Sequence, residues 1–276
     1  MYRLLNIELY KLKHSRSSKM LIITYFVLLT SIALIASIKF DIGPVKFHLA
    51  EMGIFNFPYI WHFNSYFAAI FKLFLAIVIV SMMSNEYSNK TLKQNLIDGL
   101  SKKEFILSKF YTVIVLSVVS TLFLFVVSLI LGLIFSSYTE LNIIFSDLEY
   151  LLAFFVKLVG FFSFCLFLGV LVKRSAFALG FLFVWQFLEG VIFGVLKWYT
   201  NAETKAFVMQ LLPLNAMSNL IKQPFSRLSA VQTVANQVGE NFNFDYAVHW
   251  YEILIVIGWT ALFIFLSYLL LKKRDL

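Results

Sequence analysis

Few residues in this sequence are spaced for covalent chemistry. Intramembrane hydrolysis needs a G-x-S-G nucleophile with a membrane histidine, or paired Glu and His on spans; the nearest approach, Gly160-Phe-Phe-Ser163, lacks that pattern. The histidines His14, His48, His62 and His249 are far apart and mostly in polar segments, so no metal-ligand spacing arises. Cys165 is the single cysteine and lies in an apolar run, where it reads as a small buried side chain and can form no intrachain disulfide. No G-x-x-x-x-G-K-[ST] phosphate loop occurs. Two polar features remain. One is a basic island at 85–109, NEYSNKTLKQNLIDGLSKKEFILSK; the other is a pair of charges, Lys72 and Glu189, set inside apolar runs.

The surroundings of these features define the class. Of 276 residues, 61% are hydrophobic and only 14% charged, and 32 are Phe; the mean hydropathy is +0.84. A water-facing domain carries about a quarter charged residues. Repeated apolar runs of the ~20 residues that a bilayer core requires are present instead, without the short alternating segments of a membrane barrel. The chain therefore reads as an all-α, multi-pass membrane protein. Its net charge of +8 is a matter of topology, and no nucleic-acid partner is implied.

Six spans are expected, at 20–38, 64–84, 110–135, 151–172, 175–198 and 250–271, within a single transmembrane domain covering 1–276. Residues 1–19 form an amphipathic helix, with Leu5, Leu9 and Leu12 on one face and Arg3, Glu8, Lys11 and Lys13 over much of the rest. Such a helix lies on an anionic leaflet. One set of alternate loops holds 15 Lys/Arg and the other 6, which puts both termini and the island 85–109 in the cytoplasm. Trp61, Trp198 and Trp250 fall at outer span ends, as interfacial aromatics should. The connection 199–249 contains apolar runs too short to cross, suited to short helices packed on protein at the extracytoplasmic side.

The island has internal order. Ser101 followed by Glu104 has capping-box spacing, and Gly99 just before it is a helix stop. The stretch reads as a helix, a glycine stop, then a capped helix running into the third span. Two short helices suit a docking surface better than a minimal solvated loop.

At this point the sequence resembles the membrane subunits of ABC-2 type ABC transporters. It shares their basic amphipathic helix, their six spans, and a cytoplasmic segment between the second and third spans. The matching positions are Glu86, Lys90-Thr91, Gly99, Ser101-Lys102-Lys103, Glu104 and Lys109. The resemblance implies an ABC-2 exporter transmembrane domain in which 85–109 is a coupling segment seated on a nucleotide-binding subunit. It implies two copies of an ABC ATPase as partners, with ATP and Mg bound there and no cofactor on this chain. It further implies a second permease copy, identical or homologous, to enclose a pathway in a bacterial plasma membrane. The expected function is thus a non-catalytic permease of an ATP-driven exporter; the alternative is a non-transporting membrane scaffold or assembly protein. The family's range of drugs, peptide antibiotics, lipids and polysaccharides leaves the substrate open.

The intramembrane charges are candidates for lining the pathway or dimer interface. Glu189 lies about fourteen residues into the fifth span, roughly 20 Å deep at 1.5 Å per residue. A midspan charge costs on the order of 2.5–3.5 kcal/mol, so Lys72 and Glu189 each want a partner or a wet cavity, and a mutual ion pair is one solution. Lys157, nearer a span end, is expected to snorkel outward.

Overall fold

The computed structural model describes residues 2–37, 39–42, 45–48, 53–138, 140–227 and 245–274. Four helical stretches among them are long and apolar enough to cross a membrane: Lys102–Phe135, Leu141–Val172, Ser175–Tyr199 and Trp250–Lys273. A fifth candidate is the pair Tyr59–Ile70 and Lys72–Ser88, bent by 45°.

In chain order, α1 (Tyr2–His14) and α2 (Arg16–Ser37) meet at Ser15. The amphipathic helix is therefore shorter than 1–19. The expected first span falls in α2, whose side chains beyond residue 31 lie outside the described residues. A two-stranded antiparallel hairpin follows, β1 (Lys39–Ile42) with β2 (Val45–His48). Next come α3 (Tyr59–Ile70) and α4 (Lys72–Ser88), broken at Phe71. Among the described residues the remaining helices are α5 (Thr91–Ile97), α6 (Lys102–Phe135), α7 (Leu141–Ile144), α8 (Glu149–Val172), α9 (Ser175–Tyr199), α10 (Ala202–Leu211), α11 (Pro213–Asn219) and, after a 3₁₀ turn at Phe225–Arg227, α12 (Trp250–Lys273).

Helix α8 is the hub, packed by α3, α4, α6, α9, α11 and α12. Its sequence explains this: it is apolar all round rather than striped, the signature of a helix buried on every side. Gly160 lets α12 close on it, since a Cβ there would meet Val256 Cγ1 at 2.7 Å. The same approach admits Met217 of α11. By contrast, α9 is almost entirely exposed, with Phe177, Phe181, Phe187 and Phe193 all on the surface.

The two ends of the bundle gather different segments of the chain. The N-terminal helix, the island, the 173–174 turn and the C-terminal residues converge on one end. There Glu8 reaches Lys109, and Arg274 donates to Tyr87 Oη and to the carbonyls of Val170 and Leu171. At the opposite end Tyr59 donates to the Pro224 carbonyl, and Tyr150 to that of Tyr246. Trp61 departs from expectation: it is fully buried, stacked on Phe125 and donating from Nε1 to the Ile144 carbonyl. Trp198 and Trp250 are exposed, as lipid-interface rings would be.

Candidate functional site

The island folds by its own local rules. Helix α4 ends at Ser88, and Lys90 adopts a left-handed conformation (φ 56°) before α5 begins. At the far end of α5, Leu100 N–H donates to the Asn95 carbonyl and Gly99 N–H to that of Leu96. This is a Schellman closure, with Gly99 at φ 97° where a side chain would be strained. Two residues after Gly99, Ser101 caps α6. Its Oγ accepts from Glu104 N–H at 3.2 Å, while Glu104 Oε2 accepts from Ser101 N–H at 3.0 Å. Both halves of the capping box are made.

Helix α5 lies against the bundle through Leu92, which is buried, with Leu96 and Leu100 partly covered. Its other side faces outward and carries Lys90, Thr91, Lys93, Gln94, Ile97, Asp98 and Gly99. Ile97 is 69% exposed, a large aliphatic side chain on a helix whose neighbours are charged. Sequence reading passed over it; its one signal was an apolar residue out of step with the Leu92–Leu96 face. Beyond the stop, Ser101, Lys103 and Glu104 are exposed as well. Lys102 instead turns inward and donates to the carbonyls of Lys272 and Arg274 at 3.3 and 2.9 Å.

Glu86 is placed differently from the rest of the island. It is 3% exposed and sits in a five-residue network. Lys109 Nζ lies 2.6 Å from Glu86 Oε1 and 2.5 Å from Glu8 Oε2. Lys11 Nζ lies 2.8 Å from Glu86 Oε1 and 3.2 Å from Glu8 Oε1. Thr91 Oγ1 donates to Glu86 Oε2 at 2.6 Å. Burial works against the Lys11 ammonium, yet the Glu86 and Glu8 carboxylates hold its pKa above the ordinary lysine value. Two carboxylates face two ammoniums, so the buried charges balance. The network joins α1, α4, α5 and α6 at one point. Glu8, expected on the polar surface of α1, is buried among Leu5, Leu9 and Leu12; its signal in the sequence was a carboxylate inside an apolar stripe. A cavity of about 430 Å³ borders the network, lined by Lys11, His14, Ser15, Asn85, Glu86 and Thr91 among others.

The sequence profile of the ABC-2 family transporter proteins matches residues 4–189, from α1 through the network and most of α9. The chain belongs to that family. Among curated proteins, none matches the chain. As an ABC-2 permease it is a membrane component, and such permeases generally work with an ABC ATPase.

The permease's two intramembrane charges do not meet. Glu189 is 3% exposed and accepts from Trp185 Nε1 at 2.8 Å, Leu214 N–H at 3.0 Å and Asn215 N–H at 2.8 Å. It holds the first turn of α11, whose leading N–H groups have no intrahelical acceptor. Lys72 begins α4 at the bend and sets its ammonium over the Phe161 ring, 4.2 Å from the centroid. Lys157 does not snorkel. It is 4% exposed, and its Nζ donates to the Ser218 carbonyl at 3.3 Å.

Proposed function

We propose that this chain is the permease subunit of an ATP-driven ABC exporter, crossing the bacterial plasma membrane six times with both termini in the cytoplasm. Two copies, identical or homologous, enclose the pathway, and two copies of a separate ATPase chain bind the ATP and Mg. The outward side of α5, with the exposed start of α6, is the surface that receives the ATPase.

The observation that carries this reading is the placement of the Glu86 network directly behind α5. A docking helix transmits force only if it is fixed to what must move. Thr91 at the start of α5 is bonded to Glu86, and Glu86 is bonded through Lys109 and Lys11 to α6 and α1. Closure of the ATPase pair would then displace α1, α4 and α6 together and rock the bundle. Exposed Ile97 supplies an apolar centre, and Lys90, Lys93 and Asp98 a charged rim, the arrangement of an interface hot spot.

The test is co-purification of the tagged permease with an ABC ATPase encoded beside it, followed by ATP-dependent efflux in vesicles. Retained assembly and efflux after combined substitution of Lys93, Ile97 and Gly99 would remove α5 from the mechanism.

A further inference from the structure

A cavity of about 410 Å³ opens between the α3–α4 bend, α8, α9 and α11, away from the basic end. Both Lys72 and Lys157 line it, with Tyr66, Phe161, Gln186 and Asn215. No acidic residue is among its lining residues. Two ammonium groups at one cavity in an apolar bundle are costly, because each loses hydration and each repels the other. The compensation visible among the described residues is weak: a carbonyl dipole for Lys157 and an aromatic face for Lys72. The nearby carboxylate of Glu189 is already committed, with both oxygens accepting from α11 backbone N–H groups and Trp185.

The wall of the cavity is divided. Ile70, Leu73 and Phe183 also line it and are 55%, 40% and 62% exposed on the outside of the bundle, so its mouth is apolar and its interior carries the two lysine side chains. We propose that this cavity binds the anionic head of an amphiphile, a phosphate, sulfate or carboxylate, while the apolar part lies along Ile70, Leu73 and Phe183. Lys72 and Lys157 supply the charge. The Gln186 amide and the Tyr66 hydroxyl are the neutral donors at hand; the Asn215 amide already donates to the Met209 carbonyl at 2.7 Å. The source of such a head is either a membrane lipid or an amphiphile that enters from solution. The site requires that the bundle be membrane-embedded but not that it transports anything.

Native mass spectrometry of the full-length protein in neutral maltoside detergent tests this with dodecyl phosphate as probe. Saturable binding is expected, lowered at least tenfold in Lys72→Gln/Lys157→Gln and kept in Lys72→Arg. If the double variant does not fold, Lys72→Gln alone, at the less buried lysine, decides by the same tenfold criterion. Competition by phosphatidylglycerol but not phosphatidylcholine assigns the site to a lipid head. Saturable binding that phosphatidylglycerol does not displace assigns it to an amphiphile from solution. Equal binding by the wild-type and glutamine variants, or no saturable binding, overturns the proposal and leaves the permease reading standing.

Discussion

Lys109 Nζ stands within hydrogen-bond distance of both Glu86 and Glu8, and its side chain is wholly out of solvent. The two carboxylates come from helices separated by most of the first third of the chain, so this ammonium, together with the Lys11–Glu86 pair, fixes the N-terminal helix to the island. Removing one partner of a buried ion pair costs about 3–5 kcal/mol, because the remaining charge is stranded. Lys109→Met should therefore destabilise the protein by that order and release α1, read as a lowered melting temperature and as new protease cleavage between α1 and α2.

Lys11 belongs to the same network and is itself 40% exposed, but its carboxylate partners are buried, so Lys11→Met should cost more than the ~1 kcal/mol of an exposed pair and less than the ~3–5 kcal/mol of a fully buried one. Its pKa is raised above the ordinary 10.5. A raised lysine pKa means that its contribution is complete below that value and fades only as pH climbs through the folded-state value. Thermal melts of wild type and Lys11→Met should accordingly differ by a constant offset between pH 6 and 9.

Ile97→Asp should abolish ATPase co-purification while leaving the melting temperature of the isolated permease unchanged, since the side chain touches little of its own fold. A lowered melting temperature would instead mean that Ile97 packs within the bundle.

Gly99→Ala places a side chain at φ 97°, and Ser101→Ala removes a helix cap. Each should cost about 1 kcal/mol. Faster hydrogen exchange confined to 91–105 is the expected readout; exchange spreading into the body of α6 would contradict it.

Glu189→Gln keeps an acceptor for one of the α11 N–H groups, whereas Glu189→Leu keeps none. Leaving a buried donor unsatisfied costs about 1–3 kcal/mol, so the leucine variant should be the less stable. A cysteine pair bridging α9 and α11 should also cross-link less completely in it.

What was legible in the sequence was whatever neighbouring residues decide. The Ser101–Glu104 spacing and Gly99 specify the stop and the cap by themselves, and the apolar runs specify the helices. Partners distant in sequence were not legible. Glu8 and Lys109 are 101 positions apart, and nothing in either segment names the other. Lys72 and Glu189 suggested each other because both needed relief. Glu189 found it in backbone N–H groups, which every segment of a chain offers and which therefore leave no mark in the sequence. Trp61 misled for a related reason. A tryptophan at a span end marks an interface only if its face is free, and Ile144 and Phe125 had already taken it.

Arg274, directly after α12, donates to carbonyls at the end of α8 that were made more than a hundred residues earlier. Until it arrives, those carbonyls and the Tyr87 hydroxyl lack that donor. During synthesis, then, the earlier helices can enter the membrane one by one, but this contact at the basic end cannot form until Arg274 has been made. A ribosome stalled within α12 would leave a chain with its helices already inserted and this latch still open.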